Sequence, residues 1–268
     1  MEALALADGW PAAHLAVGVA ARDGISAKRG EAGRIFWWAS VTKLATALAA
    51  LVAVEDGTLD LDASAGPPGS TVRHLLAHAS GLPLDGTAPI APPGRRRIYS
   101  NSGFEVLGAT LAAPAGLPFE QYLTATVIEP LALRAELRGS PASGLYGSLD
   151  DLLALARELL APRLVARETL AGATRVTFPG LTGVLPGFGR MEPNDWGLGF
   201  EIRDGKSPHW TGRRNSPRTF GHFGRSGTFL WVDPDAGIAC ACLTDLEFGD
   251  WAKEAWPRLS DAVLAEAA

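Results

Sequence analysis

Cysteine, lysine and long apolar runs are scarce in this 268-residue chain, and the first and last of these shortages each exclude a class of protein. The two cysteines, Cys240 and Cys242, stand one residue apart in an apolar stretch. A bridge across so short a loop would be strained, so free buried thiols are expected rather than a disulfide framework. No stretch reaches the roughly 18 consecutive apolar residues of a membrane span. A net charge of −5 speaks against the clustered positive charge that nucleic acid demands. At the N-terminus, MEALALADGWPAAH has Glu2 and Asp8 where a secretory leader would carry Lys or Arg, and Gly9 and Pro11 break its apolar run. The expectation is a soluble cytoplasmic protein without nucleic-acid or membrane partners, monomeric or weakly self-associating.

What is present is globular material, 47% hydrophobic and 20% charged, which excludes fibrous and disordered classes. Residues 14–21 form a short apolar run, and Arg22-Asp23-Gly24 follows as a turn signal before residues 25–30, a hairpin pattern. Residues 40–56 contain no breaker, are rich in Ala and Leu, and stop at Gly57, so they predict a buried helix. Shorter helical patterns at 71–79, 103–113, 118–126 and 149–160 are separated by Pro/Gly loops, and Ser148 with Asp151 makes a capping box for the last. Strand patterns return at 196–203, 219–224, 228–233 and 237–243, before a helical pattern at 250–266. Strands at both ends with helices between predict an α/β (α+β) protein: one largely antiparallel sheet built from both termini, flanked by helices. The expected units are a discontinuous sheet domain, 1–58 with 191–268, and an inserted helical subdomain, 59–190.

Three clusters could carry chemistry. In Ser40-Val41-Thr42-Lys43 the three-residue spacing puts a hydroxyl and an amine on one helical face. A lysine beside so apolar a run has to be paired or neutral, and a neutral amine can take the serine proton. In Tyr99-Ser100-Asn101 a phenol near a lysine can relay a proton, and an amide can hold a substrate carbonyl. In His222-Phe223-Gly224 the glycine allows close backbone approach on a strand, where the next amide, that of Arg225, can point at a substrate oxygen.

These clusters, 59 and 123 residues apart in this order, resemble the serine β-lactamase and penicillin-binding-protein superfamily, and within it the class C β-lactamase, D-alanyl-D-alanine carboxypeptidase and esterase branch. Further stretches carry the likeness: FWWASVTKLATALAALVAVEDGTLDL, TVRHLLAHASGLP, YSNSGFEVLG, GLYGSLDDLLALA and WGLGF. The resemblance implies a β-lactamase/transpeptidase-like fold and an acyl-enzyme mechanism. Ser40 would be the nucleophile, Lys43 and Tyr99 its proton-handling partners, and Asn101 a substrate-positioning amide. The backbone N–H groups of Ser40 and Arg225 would form the oxyanion hole. No metal or organic cofactor is implied.

One departure redirects the functional expectation. Where β-lactamases of this group carry Lys-Thr-Gly, this chain has His222-Phe223-Gly224, which loses a permanent cation and a hydroxyl. An imidazole with a pKa near 6.5 binds a carboxylate less strongly than an ammonium. The expected activity is therefore hydrolysis of a small ester or amide, esterase-like or D-amino-acid-peptidase-like, with true β-lactamase or penicillin-binding activity as the alternative. The Arg225 side chain or the Arg213, Arg214 and Arg218 cluster could replace the lost charge; otherwise that cluster is a solvated basic loop. A catalytically silent binding module of the same fold is the reading from another class, and the presence of Ser40, Lys43 and Tyr99 argues against it. His74 and His78 have metal-ligand spacing but no accompanying glutamate or third ligand, so a structural role is expected. Arg95-Arg96-Arg97 reads as solvated surface, and Trp37 and Trp38 are placed to line the nucleophile's pocket.

Overall fold

The computed structural model describes residues 1–268. A 3-10 helix (Glu2–Gly9) leads into β1 (Leu15–Ala21), β2 (Gly24–Gly30), β3 (Phe36–Trp37), a 3-10 turn (Ala39–Val41) and α1 (Thr42–Glu55). The middle of the chain holds α2 (Val72–Leu76), α3 (Asn101–Ala115), α4 (Phe119–Leu123), β4 (Glu136–Leu137), β5 (Leu145–Gly147), α5 (Leu149–Leu160) and α6 (Arg167–Ala173). A small hairpin, β6 (Gly183–Leu185) and β7 (Gly189–Met191), precedes β8 (Glu201–Ile202), β9 (Phe220–Gly224), β10 (Thr228–Asp233), β11 (Ile238–Thr244) and α7 (Asp250–Ala267).

The main sheet runs β2-β1-β11-β10-β9-β8 with every pairing antiparallel. Its two halves come from opposite ends of the chain, joined where Leu15 faces Thr244 and Ala21 faces Ile238. This is the mixed α/β architecture expected from the sequence. Alternation then decides which face each side chain serves. Ala16 and Ala20 of β1, Leu230 and Val232 of β10, and Ala239, Ala241 and Leu243 of β11 join the larger core, with α1 and α5. Val17, Val19, Phe229, Trp231, Cys240 and Cys242 point the other way, into a second core closed by Leu4 of the first 3-10 helix and by Trp256, Leu259 and Val263 of α7. Both faces of the sheet are covered, which is why its inner strands read as continuous apolar runs.

Helix α1 is buried nearly all round, including Lys43 and Thr46, and the chain leaves it through Gly57 at φ +77°. The capping box of Ser148 and Asp151 forms at the start of α5. Although α5 lies within the 59–190 stretch, it packs on the sheet: a Cβ on Gly18 of β1 would stand 2.8 Å from Leu153 Cδ1. The strand expected over 196–203 contracts to Glu201–Ile202. Gly199, at φ +87°, turns the preceding segment onto α1, where any Cβ would collide with Ala47, and its N–H donates to the Leu76 carbonyl at 3.0 Å. Strands β3 to β7 span only two or three residues each, too short for alternation to register. No helix is long and apolar enough to cross a membrane.

Candidate active site

Three elements converge on Ser40. The turn carrying it leaves β3 with Ala39 at φ +46°, a left-handed conformation unusual for a residue with a side chain and characteristic of strained functional turns. The expected helix start at residue 40 is displaced by this turn, so α1 proper begins at Thr42. Trp37 and Trp38 brace the turn instead of lining the pocket. Ser226 Oγ donates to the Trp37 carbonyl at 2.8 Å and Thr228 Oγ1 to the Trp38 carbonyl at 2.9 Å, while the Trp38 N–H donates to Leu145 at 2.9 Å. The turn between β9 and β10 is thereby fixed against the segment that presents Ser40. Gly224 is required for that approach: a Cβ there would stand 2.7 Å from the Trp38 carbonyl oxygen and 3.0 Å from Ala39 Cβ.

Lys43 lies one helical turn beyond Ser40 and is fully buried. Its Nζ is 3.5 Å from Ser40 Oγ and donates to Asn101 Oδ1 at 2.8 Å and to the Ala142 carbonyl at 2.9 Å. It also lies 4.8 Å from the centre of the Tyr99 ring. Burial pulls its pKa down to about 7, against the pull of Glu105 and Asp85. Asn101 is held at both ends, because its Nδ2 donates to Asp85 Oδ1 at 3.2 Å. Burial pushes the Tyr99 phenol up; the nearby Ser40 hydroxyl opposes this, though no hydrogen bond of good geometry joins them, and Asp85 adds to the rise.

His222 comes from β9, its ring 5.6 Å from that of Tyr99. Its Nδ1 lies 2.7 Å from the Phe223 carbonyl, which can only accept, so Nδ1 carries the proton and Nε2 is the free acceptor. Burial first and the charge of Lys43 second bring its pKa to about 3. The value near 6.5 expected for an ordinary imidazole does not hold here, and His222 is neutral across the working pH range. Tyr99 Oη and His222 Nε2 are both buried without a partner in the protein. Such atoms are costly unless something supplies the missing bond, and these two stand with Ser40 at one cavity.

Ser40, Asp85, Tyr99, Asn101 and His222 line one cavity of about 700 Å³, together with Leu84, Ile90, Val184 and Phe248. Neither candidate basic supplement serves it, and the Arg213, Arg214 and Arg218 cluster is the solvated loop of the alternative expectation. The Arg225 side chain, though at the cavity, pairs with Glu247 at 3.1 Å in the open. Arg213, Arg214 and Arg218 are exposed and absent from the cavity wall, with Arg218 paired to Asp235 at 2.9 Å. The Arg95-Arg96-Arg97 run is solvated only in part. Arg97 is 2% exposed and donates to the carbonyls of Ala77, Asn194, Thr177 and Phe178, and burial brings its pKa down to about 10. It ties the segment before Tyr99 to the chain at Thr177, Phe178 and Asn194.

His74 and His78 play different parts. His74 closes a capping box with Thr71 and stacks on Phe178. His78 accepts the Ser100 N–H at 3.2 Å through Nδ1, and its ring lies 4.7 Å from that of Tyr99. Sequence reasoning missed a buried cluster below the cavity, in which Glu201 accepts from Lys206 at 2.6 Å and from Trp210 at 3.0 Å, with His209 Nε2 also 3.0 Å away. A glutamate on a two-residue strand and a lysine five residues later in the following loop give no local sign that they will be buried together. Asp85 was also missed, since it follows the Gly81-Leu82-Pro83 segment as an ordinary loop acid.

The Beta-lactamase family model matches residues 1–137 and 132–264. Among solved structures, a beta-lactamase from Mycobacterium bovis is 53% identical, with a TM-score of 0.98 over 99% of both chains. The hydrolase EstCE1, which has promiscuous acyltransferase activity, is 20% identical with a TM-score of 0.80 over 98% of this chain and 96% of its own. A mutant simvastatin synthase from Aspergillus terreus is 17% identical with a TM-score of 0.78, over 98% of this chain and 93% of its own. At these lower identities the likeness is one of fold. A beta-lactamase of Escherichia coli (strain K12) is 34% identical over 82 residues, a match spanning 22% of that protein's length and 24% of this chain.

Proposed function

This chain belongs to the beta-lactamase family, and from that premise we propose that it is a serine hydrolase that acts on a small ester or amide through an acyl-enzyme. The observation that carries the reading is the buried Lys43 Nζ, 3.5 Å from Ser40 Oγ and brought to a pKa of about 7. A substantial fraction of the amine is then neutral at pH 7 and can accept the serine proton. Ser40 Oγ attacks the substrate carbonyl and its proton passes to Lys43. The tetrahedral oxyanion is held by the backbone N–H groups of Ser40 and Arg225. Collapse expels the alkoxide or amine, which takes a proton relayed through Tyr99, and leaves an ester on Ser40. Water, deprotonated through Tyr99 and Lys43, then releases the acid and restores the serine.

An ester or amide is preferred over a β-lactam because His222, at the cavity, is a neutral imidazole that offers a substrate carboxylate no charge. A second reading, β-lactam hydrolysis, is favoured by the 53% identical relative described as a beta-lactamase. Incubation with a chromogenic short-chain ester, nitrocefin and a fluorescent penicillin, followed by mass spectrometry, separates them. The proposal expects an acyl adduct on Ser40 and ester turnover abolished in Ser40→Ala. Ester turnover by Ser40→Ala equal to wild type, with no adduct on Ser40, refutes it. A nitrocefin rate comparable to the ester rate transfers the assignment to β-lactamase.

A further inference from the structure

The charges around the cavity are unevenly placed. Asp85 forms no ion pair, is exposed at the cavity wall, and bonds the amide of Asn101 that in turn holds Lys43. It acts electrostatically on both Lys43 and Tyr99. Three of the arginines at the same cavity are committed elsewhere, Arg190 to Glu192, Arg225 to Glu247 and Arg97 to four carbonyls; exposed Arg96 has no acidic partner and reaches only the carbonyl of Ile90, at 3.4 Å. None of them is among the charges that move Lys43 or Tyr99. The walls beside Asp85 are apolar, with Leu84 at 49%, Ile90 at 56% and Val184 at 58% exposure, large values for side chains of this kind.

We propose that Asp85 is a specificity-determining residue that turns the cleft against substrates carrying a carboxylate on the acyl group and leaves it open to uncharged, apolar acyl groups. This rests on the serine-hydrolase reading above. A carboxylate entering beside Asn101 meets the like charge of Asp85; no arginine of the cavity bonds Asn101 or Asp85, Lys43 is engaged by Asn101 and the Ala142 carbonyl, and His222 is neutral. An alkyl group meets Leu84, Ile90 and Val184 and loses only its contact with water. Because Asp85 is exposed, its repulsion is weakened by salt.

The test compares kcat/KM for p-nitrophenyl hexanoate with that for the p-nitrophenyl monoester of adipic acid, which is of equal length and ends in a carboxylate. The neutral ester is expected to be favoured by about tenfold at low ionic strength, and the preference to narrow at about 0.5 M salt. Asp85→Asn keeps an acceptor for Asn101 and removes the charge, so it should shrink the preference several-fold. Equal rates for the two esters in wild type, or a preference unchanged in Asp85→Asn, overturn the proposal while Ser40 acylation continues. Absence of turnover of both esters, with no adduct on Ser40, removes the hydrolase reading and this inference with it.

Discussion

Lys43 Nζ stands 2.8 Å from Asn101 Oδ1, nearer than its 3.5 Å approach to Ser40 Oγ. Asn101 and the Ala142 carbonyl together aim the amine, and the serine completes its shell. A nitrogen held in this way by two neutral acceptors in a buried site is placed to exchange a proton with the hydroxyl it faces.

Removing that exchange should stop ester turnover without unfolding the protein. Lys43→Arg keeps the charge but cannot give up its proton at working pH. Both Lys43→Arg and Ser40→Ala are expected to lower kcat by about 10³-fold or more, measured with a chromogenic ester, and circular dichroism should report an intact fold. A Lys43→Arg variant within tenfold of wild type would count against lysine as the base.

The pH profile should belong to Lys43 and not to His222. With Lys43 near 7 and His222 near 3, kcat/KM for the ester rises through about pH 7 as the amine deprotonates. His222→Gln should keep that inflection, shifted upward at most, since removing the imidazole leaves only the lysine to titrate there. Loss of the inflection in His222→Gln would reassign it.

Stability carries the same signature. In the unfolded chain Lys43 titrates at about 10.4, so between about pH 7 and 10 the unfolded state holds a proton that the folded state has released. The lysine's unfavourable contribution is thus largest below pH 7 and fades as pH rises. The melting temperature of Lys43→Met relative to wild type should be highest near pH 6 and fall by about pH 9.5 in differential scanning fluorimetry. A difference that does not change with pH would contradict the buried-amine assignment.

Gly224→Ala should damage catalysis more than its size suggests. The new Cβ must displace the Trp38 carbonyl or Ala39, both of which set the position of Ser40. A stability loss of about 1–3 kcal/mol is expected, with kcat reduced by at least about tenfold at temperatures where the variant is fully folded. Wild-type kcat in Gly224→Ala would show that the close approach is dispensable.

Cys240 and Cys242 are free and buried among apolar side chains, and burial pushes both thiols upward. Neither should react with a thiol-directed disulfide reagent at pH 8 in the native protein, and both should react in guanidinium. Fast labelling of the native protein would place them in an opened or mobile face.

Much of this architecture follows from local pattern. The hairpin at the N-terminus, the Ala/Leu helix, the capping box at Ser148 and the strands around residues 220–244 are each specified by short-range periodicity and turn residues, and they form as expected. The Ser40–Lys43 pairing is likewise written in a three-residue helical spacing. Contacts between segments distant in sequence carry no such mark. Arg97, in a run of three arginines, is drawn inside because four carbonyls from three segments meet there. His222 and Lys43 each acquire their pKa from burial that only the closed fold creates. Asp85 becomes part of the site because a loop brings it to Asn101. The sequence by itself determined which residues could react and what elements would carry them; the tertiary structure decided which charges are desolvated, because solvent exclusion depends on every segment that closes over a group.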